Sequence, residues 1–220
     1  MPIWAALVLL VGSGCETGLD PRYIITRAID RHDPYYKQAQ ARWDALNASP
    51  GPFQVQCLSV PRPEGQNWQL SSFTLPSSNH MWFVQQLAGQ HHDAFAHVDI
   101  FSLNRTFATA QEYRQWRCDH GPKGNKQNFV LDYSVQSDSR YGQFCVRSFE
   151  DMETHRITTF SHTILRHRTW AYCFLLPELP GKEVKISYFE WGLPPDVATA
   201  LPADGEAFIA GVQINRISGR

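Results

Sequence analysis

Between Asp33-Pro34 and Ser49-Pro50, apolar residues recur at three- and four-residue spacing: Tyr36, Ala39, Trp43 and Leu46. That spacing lines one face of an α-helix. Asp33 offers an N-cap oxygen, and Pro34 a first helical residue that needs no backbone donor, so the pattern predicts an amphipathic helix ending near Ser49. The period then changes to two. Phe53, Val55 and Cys57 alternate with Gln54 and Gln56, which predicts a half-buried strand, and the stretch from Pro61 to Asn67 is expected to turn it into a second strand around Trp68 to Leu75. Thr109-Ala110-Gln111-Glu112 has capping-box spacing, Tyr113 and Trp116 follow on one helical face, and Gly121-Pro122 supplies a stop. A helix is expected from about Ala110 to Cys118.

The second half of the chain is β-rich. Phe129, Leu131, Tyr133 and Val135 alternate with polar residues, and Gly142 to Phe149 reads as the returning strand across Ser137-Asp138-Ser139-Arg140. In the stretch Ile157 to Leu176, Trp170, Tyr172 and Phe174 face one way while Ala171, Cys173 and Leu175 face the other. Both faces are apolar, so this strand is expected to be central and covered on each side. Val184 to Trp191 forms a further strand after the Pro180-Gly181 turn. Ala207, Phe208 and Val212 suit a short closing helix after Asp204, with a strand over Val212 to Ile217 as the alternative. Successive strands joined by short turns pair antiparallel, because parallel neighbours need crossovers. The expected class is α+β: a single domain, mainly antiparallel sheet with a few packed helices.

Composition narrows the function classes. The 220 residues are 43% hydrophobic and 13% aromatic, enough for a substantial core and unlike a disordered chain. The 20 basic and 21 acidic residues balance, so the electrostatic footprint of a nucleic-acid binder is absent.

Candidate chemistry is sparse. His91, His92, Asp93, His97 and Asp99 crowd imidazoles and carboxylates together, but adjacent histidines diverge on any regular element and neither HExxH nor paired-cysteine spacing occurs. The group reads as a solvated loop entering a Val98 to Leu103 strand, and no metal is assigned. His155, Arg156, His162, Arg166, His167 and Arg168 form a basic group in which alternation places His162, Arg166 and Arg168 on one face, with His155 and His167 on the other. His162, Arg166 and Arg168 are the candidates for holding an anion or lipid headgroup; a solvated strand edge is the competing explanation. Glu150-Asp151 and Glu153 read as a turn. No GxSxG elbow lies beyond Gly12-Ser13-Gly14, and no Walker or dinucleotide loop is present, so no catalytic residue and no cofactor are assigned.

The amino terminus carries the one family resemblance. Ile3 to Val11 are nine consecutive apolar residues, followed by Gly12-Ser13-Gly14-Cys15. At about 1.5 Å per residue this run is too short to cross about 30 Å of hydrocarbon, but it has the length of a signal-peptide core. Small residues before a cysteine resemble the bacterial lipobox, although Gly12 stands where that pattern usually has Leu and no Lys or Arg precedes the run. The resemblance implies cleavage before Cys15 and lipid on that cysteine. It further implies an envelope protein held to a membrane, and Glu16, in place of the Asp of inner-membrane retention, points to the periplasmic face of the outer membrane. An ordinary secretory signal cut near Gly14 and an uncleaved anchor are the alternatives. The organisation expected is a signal peptide over 1–14, a lipid-anchored linker over 15–30 and the domain over 31–220.

With Cys15 lipidated, Cys57, Cys118, Cys145 and Cys173 remain, an even set in an oxidising compartment. Cys145–Cys173 is the expected disulfide, with Cys57–Cys118 second. Two functions stay open: a non-enzymatic domain that binds an envelope protein, lipid or small ligand, or an envelope hydrolase assembled from distant residues with His162 or His97 as general base. A deep pocket with a histidine within about 3 Å of both a hydroxyl or thiol and a carboxylate would mark the second, and a flat, partly apolar surface without such convergence the first.

Overall fold

The computed structural model describes residues 41, 44–65, 67–71, 79–87, 92–157 and 162–215. The signal run, Cys15, Tyr36, Ala39, Trp43 and His91 lie outside the described residues, as do the side chains of Arg156 and His162. The chain forms two compact units, 1–49 with 70–75 and 50–69 with 76–220. In the first unit, residues 44–48 are helical, and the backbone N–H of Ser49 reaches the carbonyl of Leu46 at 3.2 Å, where the amphipathic pattern ends. Asn47 Oδ1 accepts from the Leu70 backbone N–H at 2.9 Å.

The second unit is built on antiparallel strand pairs, and the class is α+β. A small sheet contains β1 (Phe53–Val55), β2 (Leu58–Val60) and β10 (Gln213–Ile214), in the order β1-β2-β10. The expected partner of Phe53–Val55 is thereby corrected. The turn falls at Gln56-Cys57, with Gln56 at φ 53°, and pairs Phe53 with Val60. A polar residue that tolerates the left-handed region closed the hairpin earlier than the prolines. Of the two alternatives at the carboxyl terminus, the closing helix is present as α2 (Ala203–Gly211), and β10 follows it within the stretch offered as a strand.

The large sheet comprises β3 (Gln69–Leu70), β4 (His80–Gln86), β5 (Asp93–Ser102), β6 (Asn128–Asp138), β7 (Cys145–Ile157), β8 (His162–Leu175) and β9 (Lys182–Gly192), in the order β3-β4-β5-β9-β8-β7-β6. From β6 to β9 the chain is a meander. β5 instead pairs with β9, and α1 (Ala110–Asp119) lies in the connection from β5 to β6. Thr109 Oγ1 accepts from the Glu112 N–H at 3.1 Å, and the Glu112 carboxylate accepts from Ala108 N–H at 2.9 Å, so the capping oxygens are where the sequence pattern put them.

The two faces of the large sheet have separate coverings. On one, Tyr113 of α1 is wholly buried with Val135, Val146 and Cys173, and its hydroxyl donates to Glu183 at 2.5 Å. On the other, Phe208 of α2 meets Phe83 edge-on at 6.1 Å. There Gly205 lies so close to the sheet that a Cβ would fall 2.7 Å from Tyr188 Cγ. As expected, Trp170 to Leu175 has cover on both sides: Tyr172, Phe174, Ala171 and Cys173 are all buried.

Three further expectations are corrected. Glu150, Asp151 and Glu153 do not form a turn; β7 runs through them, and Arg166 on β8 neutralises Asp151 and Glu153. Asp93 to Asp99 is no solvated loop but part of a strand with seven buried residues in succession from Ala94 to Ile100. The disulfides also fail. Register sets Cys145 opposite Phe174 and Cys173 opposite Val146, so the two cysteines point to opposite faces of the sheet and cannot meet. Cys57, Cys118, Cys145 and Cys173 are all free. Burial pushes the Cys145 and Cys173 thiols up to about 12 and about 11, which keeps them protonated and poor nucleophiles.

Candidate functional site

Strand pairing assembles a buried polar chain that local sequence does not announce. His97 on β5 stands opposite Ser187 on β9, and Asp99 lies two residues along on the same face. His97 Nδ1 is 2.6 Å from Asp99 Oδ2, and His97 Nε2 is 2.5 Å from Ser187 Oγ. From β4, the Trp82 ring lies 4.4 Å from the imidazole, and its Nε1–H donates to Asp99 Oδ1 at 2.8 Å. Phe189 meets His97 edge-on and stacks on Phe95 at 4.4 Å.

Electrostatics fix the direction of this chain. Burial holds the His97 imidazole below its ordinary pKa despite the opposing pull of Asp99. Burial alone would raise the Asp99 carboxyl, but hydrogen bonds from His97 and Trp82 hold it below the usual range. A neutral imidazole facing an ionised, acceptor-only carboxylate must carry its proton on Nδ1. Ser187 then donates to Nε2, His97 to Asp99, and Trp82 to the other carboxylate oxygen.

That connectivity is the one by which acyl-transfer enzymes activate serine. The surroundings differ. Ser187 is 0% exposed and His97 is 5%. Ser187 also lies in mid-strand between β5 and β8, where ladder pairing commits the neighbouring N–H groups that would otherwise stabilise an oxyanion. As built, the chain ties three strands together, and its serine has no path to a substrate.

The basic group also resolves into protein contacts. Arg166 grips Asp151 through Nε and Nη2, each at 2.5 Å, and reaches Glu153 at 3.1 Å. Arg168 bonds Asp151 at 3.0 Å and the carbonyls of Val197 and Ala198. Their guanidinium donors hold β7, β8 and the segment after β9 together. Alternation misplaced His155: opposite Ile164 in the register, it shares the face of Arg166, because His155 and Arg166 lie on separate strands and the alternation restarts with β8. His167 keeps the opposite face, edge-on to Phe189 at 4.9 Å. Glu190 is a third buried hub, accepting from the Ala198 N–H at 2.8 Å and the Tyr188 hydroxyl at 3.2 Å, with His92 Nε2 at 3.3 Å.

A recess that solvent can enter lies elsewhere. A groove of about 320 Å³ opens at the end of the large sheet, between the segment after β5 and the turn from β8 to β9. Leu103, Phe107, Phe144, Leu175, Leu176 and Leu179 supply its apolar wall, with Arg105 and Lys182 as its cations. Among the described residues, no histidine, serine, cysteine or carboxylate lines it. Sequence reasoning missed both this groove and Ser187. The only local sign of Ser187 is a lone hydroxyl among Val184, Ile186 and Tyr188, and its partner is 90 residues away.

No family model matches the chain, and no curated protein matches it in sequence. Among solved structures it is similar to the Ran-binding protein Mog1p of Saccharomyces cerevisiae, at 9% identity and a TM-score of 0.41, over 74% of this chain and 94% of that one. It is also similar to human StAR-related lipid transfer protein 5, at 12% identity and a TM-score of 0.27, over 79% of this chain and 93% of that one. Both likenesses are too distant to carry an argument.

Proposed function

We propose that the protein is a cell-envelope lipoprotein, tethered by lipid on Cys15, whose folded domain binds a ligand or an envelope partner without chemical turnover. One observation carries the binding reading: a groove open to solvent is walled mainly by apolar side chains, with Arg105, Lys182 and Thr106 beside them, and none of its described lining residues is a histidine, serine, cysteine or carboxylate. Concave, mainly apolar surfaces with a few polar groups suit binding. The tether rests on the lipobox resemblance. Metabolic acyl labelling should follow the mature protein and vanish in Cys15→Ser, which should leave the membrane fraction; labelling that survives would defeat the tether. Copurification of the tagged protein from its native envelope should recover a ligand or partner, which a Leu175→Asp change in the groove wall should displace.

The second reading, an envelope hydrolase, is favoured by the linkage of Ser187, His97 and Asp99 alone. A fluorophosphonate probe separates the two. The binding reading expects no adduct on the folded protein. An adduct on Ser187 that is lost in His97→Gln would establish the hydrolase instead.

A further inference from the structure

Resting on the binding reading, we infer that the groove takes a single alkyl chain ending in a carboxylate. Phe107, Phe144 and Leu175 are only half-buried, so the wall presents apolar carbon to solvent while Leu176 and Leu179 close its floor. Apolar area of this kind is covered most favourably by a hydrocarbon. At about 320 Å³ the groove sits at the lower end of the range for small-molecule sites, roughly 300–1,000 Å³, a size that suits one chain.

Charge selects the headgroup. Arg105 and Lys182 both line the groove, and among the described residues no acidic side chain does. The Arg105 guanidinium lies 4.7 Å from the centre of the Phe107 ring, so the apolar wall carries its own cation. Glu112 contacts Arg105 at 3.3 Å, with both side chains more than 40% exposed. An ion pair that open is weak and readily exchanged. Two cations and this one acid leave a local charge of +1, which a monoanion cancels and a phosphate dianion exceeds. Thr106 adds a hydroxyl on the same wall.

The test titrates the full chain carrying Cys15→Ser, free of detergent, with dodecanoate, methyl dodecanoate, dodecyltrimethylammonium and a lysophosphatidate, followed by calorimetry. Dodecanoate should bind with one-to-one stoichiometry and more tightly than the other three. Lys182→Glu should weaken it by about tenfold or more, the scale of one charge-assisted contact, while Lys182→Arg restores it. Circular dichroism of each variant shows whether the fold is kept, and Phe144→Asp, at the groove wall, provides a second route to the loss. Equal binding of the ester, tighter binding of the lysophosphatidate, or indifference to both Lys182→Glu and Phe144→Asp would each overturn the inference. Failure of dodecanoate to bind would overturn it too, yet leave the binding reading standing if copurification still yields a partner that Leu175→Asp displaces.

Discussion

Asp99 offers a test of whether the buried chain through His97 is a structural tie, because two substitutions there have different hydrogen-bonding consequences. In Asp99→Asn the amide oxygen can still accept from Trp82 Nε1–H, whose bond to Asp99 Oδ1 is 2.8 Å. The amide nitrogen would donate toward His97 Nδ1, now 2.6 Å from Asp99 Oδ2. The imidazole then moves its proton to Nε2 and donates to Ser187, so the His97–Ser187 link runs in reverse and the Ser187 O–H turns to another acceptor. What is lost is the charge assistance of the carboxylate, about 1–2 kcal/mol. Asp99→Ala leaves the Trp82 and His97 donors without an acceptor. Each buried orphan costs about 1–3 kcal/mol, and Trp82 is only half-buried and can recover part from water, so the expected loss is roughly 3–4 kcal/mol. Urea unfolding followed by tryptophan fluorescence should place Asp99→Ala well below Asp99→Asn in midpoint, at similar slopes. Equal midpoints, or a less stable Asn variant, would refute the proton arrangement deduced for the chain.

Three other outcomes follow from the same geometry. Burial lowers the His167 imidazole to about 4, so the unfolded chain binds its proton first. Stability should be full above about 6.5 and fall by about 3 kcal/mol as pH drops through 6.5 to 4; His97 is shifted in the same direction, and His167→Phe should flatten the lower part of the urea-midpoint profile against pH. Phe174 is 0% exposed and stacks on Tyr141 at 4.4 Å. Phe174→Ala should therefore cost about 3–5 kcal/mol in chemical denaturation, and near-native stability would show that the strand is misplaced. Gly205→Ala would set a Cβ 2.7 Å from Tyr188 and 2.8 Å from Leu201, an overpacking cost of about 1–3 kcal/mol measurable as a lowered thermal midpoint.

Local pattern determined what local physics controls. The alternation of Phe129 to Val135 and the two apolar faces of Trp170 to Leu175 placed strands β6 and β8, and Thr109 with Glu112 placed the start of α1, because side-chain period and backbone capping act over a few residues. Short turns between strands fixed the antiparallel α+β class. Tertiary structure decided everything that depends on which strand lies beside which. Cys145 and Cys173 are on adjacent strands, yet an offset of one residue in the register turns them to opposite faces. Asp151 lost its resemblance to a turn residue only when Arg166 and Arg168 came up beside it. Ser187 gained a role when β9 crossed to pair with β5 rather than ending the meander. The groove likewise exists only because the segment after β5, Phe144 and the β8–β9 turn converge at one end of the sheet. None of these residues carries a mark of its neighbours, since pairing across 15 to 90 residues leaves no period in the chain.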